Sequence, residues 1–68
     1  MNRDYDMLRK RILGQYGSLG EFAKRMGMTP STLSKKLAGA SDWSRVEIEN
    51  AAELLTLTPD EVWLIFFA

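Results

Sequence analysis

Residues 18–39, SLGEFAKRMGMTPSTLSKKLAG, constrain the fold of this chain more than any other stretch. They spell two short helices joined by a tight turn. Ser18 is a helix-capping residue, and Glu21 three positions on completes the sequence pattern of a capping box. Leu19, Phe22, Ala23 and Met26 fall at i, i+3, i+4 and i+7, which predicts one buried helical stripe. Gly27 stands where a helix commonly ends in a left-handed turn. Thr29 and Pro30 open a second helix: Thr caps it, and Pro sits at the first helical position, where its missing N–H costs nothing. That helix runs through Leu33 and Leu37 and stops at Gly39, with Pro30, Leu33 and Leu37 expected inside. Its opposite face is Ser31, Ser34, Lys35 and Ala38, with Thr32 and Lys36 on the flank. Small residues let a backbone approach a partner closely, and lysines reach past them for acceptors. Those are the requirements of a helix that enters a DNA major groove.

The spacing of Ala23, Gly27 and Leu33 resembles the helix-turn-helix signature of the Cro/CI-type phage repressors. There a small residue lets two helices touch, a glycine makes the turn, and a branched apolar residue anchors the second helix; Leu37 adds to the packing here. The wider run, ILGQYGSLGEFAKRMGMTPSTLSKKLAGASDWS and the helix after it, resembles short Cro-like regulators of phages and prophages of Gram-positive hosts. The likeness extends from about residue 8 to residue 62. It implies an all-α fold, a five-helix lambda-repressor-like DNA-binding domain with the helix-turn-helix at helices 2 and 3. It also implies a homodimer on a palindromic operator in double-stranded DNA. Two positions depart from the pattern. Leu19 stands where many relatives carry a phosphate-bridging Gln, and Lys36 stands where many carry Leu or Trp, which implies a slightly rotated recognition helix.

On this resemblance, Lys35 is expected to reach a base edge, most plausibly guanine O6/N7. Ser31 and Ser34 would make short base contacts, and Pro30 an apolar one. Ser18, Thr29, Thr32, Lys36, Ser41 and Arg45 would sit near phosphates, fixing register and making binding salt-dependent.

Charge distribution bears on the same question. The 68 residues carry no net charge, which taken alone argues against a polyanionic partner. Residues 1–45 hold all nine Lys and Arg against four acids, a balance of +5, and residues 46–68 hold five acids and no base. A chain so polarised presents one positive end to a polyanion. Chance segregation over solvated helix faces is the alternative reading of the charges alone.

The rest of the chain reads as support. A first helix over about 4–16 lines up Tyr5, Leu8, Ile12 and Tyr16, keeps Arg9, Lys10 and Arg11 mostly off that face, and ends at Gly17. Trp43 is expected to plug the core or to form a lid on the third helix. Ser44 and Glu47 box the start of a helix over 45–55 that faces Ile48, Ala51, Ala52 and Leu55 inward and Glu47, Glu49, Asn50 and Glu53 outward. Thr58, Pro59 and Glu61 repeat that grammar for a helix over 59–66. With helices at 19–26 and 30–38, five helices make residues 1–68 a single domain. Val62, Ile65 and Phe66 share a face that can complete the core. Trp63, Leu64 and Phe67 do not fit it, so they are either a dimer surface or a tail folded back by an irregular last turn.

A chain of this length buries only about 60% of its unfolded surface, and dimerisation would help it. It has no Cys and no His, which removes disulfides, thiolate or imidazole metal ligands and the commonest general base. No enzyme activity, cofactor, metal or small-molecule substrate is expected. No apolar run approaches a membrane span and no signal peptide is evident, so a cytoplasmic location is expected. The competing functional reading is a protein-binding module that modulates a partner repressor, through the acidic fourth helix or the Trp63, Leu64, Phe67 face, with weak or no DNA contact.

Overall fold

Four helices start where a hydroxyl caps them, and those caps set the element order from the second helix on. The computed structural model describes residues 5–68. Among them the chain is all-helical: α1 Tyr5–Tyr16, α2 Leu19–Met26, α3 Pro30–Leu37, α4 Arg45–Leu55 and α5 Pro59–Val62, followed by a π-helix, Trp63–Phe67. The expected start of the first helix at residue 4 lies outside the described residues. Ser18, Thr29, Ser44 and Thr58 each accept a hydrogen bond from the backbone N–H three residues on. The box is reciprocal at Ser44–Glu47 and Thr58–Glu61. At Ser18 only half of it forms, because the Glu21 carboxylate turns 3.8 Å from Lys24 Nζ. That corrects the expected box at α2.

One apolar cluster draws on α1 to α4, the loop before α4 and the π-helix. Leu8 and Ile12 of α1, Phe22 and Ala23 of α2, Leu33 and Leu37 of α3, Trp43, Ala51 and Leu55 of α4, and Ile65 and Phe66 are all buried. Ala23 is fully buried where α2 meets its neighbours, and a larger side chain there would push the helices apart. Trp43 packs edge-on to Phe66, with ring centroids 5.1 Å apart, and Tyr5 closes the aromatic group on both.

Helix α1 also finishes α4. The last carbonyls of a helix have no partner within it. Here Tyr16 Oη donates to the Leu54 carbonyl at 2.7 Å and Gln15 Nε2 to the Leu55 carbonyl at 3.1 Å. Arg11 forms an ion pair with Glu61. The basic cluster of α1 is therefore partly structural.

The last helix differs from the expected α-helix over 59–66. It widens at Trp63, and the Ala68 N–H reaches back to the Trp63 carbonyl at 2.8 Å. The wide turn holds Ile65 and Phe66 in the core. Trp63, Leu64 and Phe67 stay 59%, 48% and 50% exposed, with the Trp63 and Phe67 rings stacked 6.2 Å apart. Among the described residues no helix is long and apolar enough to cross a membrane.

Candidate nucleic-acid interface

The geometry of α3 follows from its two ends. Gly27 takes φ +74°, so the chain leaves α2 in a left-handed turn, and the Met28 N–H bonds back to the Ala23 carbonyl at 3.0 Å. After three residues Thr29 restarts the helix, its hydroxyl accepting from the Thr32 N–H at 3.1 Å. Leu33 and Leu37 then anchor α3 in the core. The far side follows from helical periodicity: Ser31, Ser34, Lys35 and Ala38 form one stripe, and all four are exposed.

Lys35 stands apart from most cations of the chain. Arg9, Arg11, Lys24, Lys36 and Arg45 have carboxylate partners, and Arg25 lies over the Tyr16 ring at 5.6 Å. Lys35 is exposed and has no ion pair among the described residues, so its ammonium is available to an external acceptor. Ser31 and Ser34 beside it add short hydroxyls.

The remaining expected contact residues divide. Thr29 and Thr32 are exposed at the start of α3, with their hydroxyls 3.0 Å apart. Ser18 is exposed but spent on capping α2, and lies one helix length, about 12 Å, from the α2–α3 turn. Ser41 is half-buried in the loop after α3. Arg45 is exposed at the first position of α4, tied to Glu49 at 3.1 Å across one turn. Pairs of that kind are weak in water and open readily to a stronger acceptor.

Several expectations need correcting. Pro30 is exposed, not inside: it shares the helical face of Leu33 and Leu37, but burial along α3 begins only at Leu33. Lys36, expected on the solvated flank of α3 near phosphates, points inward instead. It is buried, and its ammonium lies 2.7 Å from the Asp42 carbonyl and 3.0 Å from Glu47 Oε1. It occupies a core-facing position beside Leu33 and Leu37, where its stem packs like an apolar side chain while its head finds acceptors. The rotated recognition helix inferred from a displaced packing residue is therefore unnecessary. Glu47, expected outside, is half-buried as the partner of Lys36. The Ser44 backbone N–H holds its carboxyl below the usual carboxylate value; Lys36 adds to this and partial burial opposes it. Both partners were present in the sequence as charges. Only their packing shows the pair, since Lys36 and Glu47 lie on separate helices.

The described residues contain no group of three or more acidic side chains arranged to hold a metal ion. Fold and exposed face together define a class, a small all-helical domain that presents a helix face of small residues with one exposed lysine. The chain belongs to the family described as protein of unknown function DUF739, whose model matches residues 1–68. No curated protein matches it.

Proposed function

We propose that this protein is a sequence-specific DNA-binding regulator of the Cro/CI type, with α2 and α3 as its helix-turn-helix and α3 laid in the major groove. The observation that carries this reading is the outer face of α3: Ser31, Ser34, Lys35 and Ala38 are exposed together, and Lys35 has no ion pair among the described residues. A helix face with short side chains can sit against base edges, and one ammonium beyond them suits the paired acceptors of guanine. Thr29, Thr32 and Arg45 flank it as candidates for the phosphate backbone. So few groups read bases that sequence-dependent DNA shape would supply part of the preference.

Two copies would bind two half-sites of a palindrome, which needs a pairing surface. Trp63, Leu64 and Phe67 are exposed apolar side chains in one short segment, with the Trp63 and Phe67 rings stacked, and they are the candidates for that surface. The same side chains favour a second reading, a protein-binding module that modulates a partner repressor.

Selection of duplexes from a randomised pool, followed by binding of Lys35→Ala to the selected sequence, separates the two. The DNA reading expects enrichment of one sequence and a loss of about 1–3 kcal/mol in the variant, roughly five- to 150-fold in affinity, at unchanged helicity. No enrichment, or a variant that binds like the parent, leaves the partner-protein reading.

A further inference from the structure

Lys36 is buried although an apolar residue of its size would fill the same space without taking a charge out of water. What the ammonium adds is connection. It donates to the Asp42 carbonyl in the loop and to Glu47 in the first turn of α4, at 2.7 and 3.0 Å. The same Glu47 oxygen accepts the Ser44 N–H at 2.9 Å. The last turn of α3, the loop 39–44 and the first turn of α4 therefore meet at one charge.

That loop has few other polar ties. Gly39 turns left-handed at φ +81°, and the Gly39 and Ala40 N–H groups bond back into α3. Beyond them Trp43 is anchored by packing alone, its buried indole N–H lacking a partner among the described residues. The loop carries Ser41 and leads from the end of α3 to Arg45 at the first position of α4. Their placement relative to Lys35 depends on how the loop is held.

We propose that Lys36 is a positioning residue for DNA binding, which through Glu47 and the Asp42 carbonyl fixes the loop 39–44 and the start of α4 relative to α3 without touching DNA. The proposal rests on the DNA-binding reading above. It differs from a direct phosphate contact in a way that pairs of substitutions expose. A direct contact acts alone, whereas a latch fails whichever side is removed.

The test uses the full chain and the duplex it selects from a randomised pool, with affinity read by fluorescence anisotropy. Lys36→Met should weaken binding at least tenfold. Glu47→Ala should weaken it at least threefold, although it removes a negative charge from a DNA-binding protein. Glu47→Gln, which keeps both hydrogen-bond acceptor roles, should recover most of that loss. The double variant Lys36→Met/Glu47→Ala should bind about as Lys36→Met does. In the free protein, Lys36→Met should speed amide hydrogen exchange over residues 39–44 while the helices keep theirs. Losses that multiply in the double variant, or tighter binding by Glu47→Ala, overturn the latch and leave DNA binding standing. Unchanged loop exchange in Lys36→Met overturns it without reference to DNA, and should that variant not fold, the two Glu47 variants decide alone. A parent chain that selects no duplex overturns the DNA reading and the latch with it.

Discussion

Replacing Thr56 with Gly should stabilise the protein. Thr56 follows α4 at φ +54°, ψ +50°, and is the one non-glycine with positive φ among the described residues. Its N–H bonds back to the Glu53 carbonyl at 3.3 Å, and the Leu57 N–H to the Ala52 carbonyl at 2.9 Å, so the left-handed turn closes the helix end. An L-residue in that conformation costs about 1–2 kcal/mol through its Cβ, and a β-branched side chain belongs at the upper end. Glycine removes that cost but adds freedom to the unfolded chain, worth about 0.5–1 kcal/mol the other way. The Thr56 side chain is exposed, so little packing is lost with it. The net gain is about 1–1.5 kcal/mol, or about 4–12 °C in Tm for a domain of this size. Thermal melts followed by far-ultraviolet circular dichroism measure it, with urea titrations to show an unchanged m-value. Thr56→Ala keeps a Cβ and should gain little. A Tm that stays or falls in Thr56→Gly, or rises equally in Thr56→Ala, refutes backbone strain at this turn.

Acid should destabilise the protein through two carboxylates. Glu47 and Glu61 are both held below the ordinary value of about 4.5, chiefly by the backbone N–H groups of Ser44 and Thr58 that they cap. The native state therefore binds fewer protons than the unfolded state, so their contribution is complete above about pH 4.5 and is lost as pH falls through the lowered native values. With no histidine in the chain, Tm should be flat from pH 8 to 5 and fall below; a decline starting near pH 6 contradicts this assignment. Trp63→Ser with Phe67→Ser should leave Tm within a few degrees, because both rings are half-exposed, and should reduce self-association in sedimentation velocity; a large loss of Tm would mean the rings support the core.

Local grammar made much of this fold legible. Ser18, Thr29, Ser44 and Thr58 announce helix starts, and Gly27 announces a left-handed stop, because capping is chemistry between residues close in sequence. The exposed stripe of α3 followed from periodicity alone. What stayed hidden depends on contacts between distant segments. Hydrophobic patterning treats every lysine as solvated, so Lys36 read as a flank residue, although its stem reaches a carboxylate on another helix. The Tyr16 and Gln15 bonds to the carbonyls ending α4 join residues about 40 apart, beyond any capping rule. The run Trp63–Phe67 carries no Pro, Gly or polar residue to mark where the α-helix widens, so its π geometry had no local signature.

The central claim, that α3 reads DNA, is tested most directly by anisotropy of the purified protein across a salt series, on the intergenic duplex upstream of its own gene and on a scrambled duplex of equal composition. The account predicts tighter binding to the native duplex, with affinity falling steeply and log-linearly with salt as bound phosphates release counterions. Equal, weak binding to both duplexes at every salt concentration would contradict it.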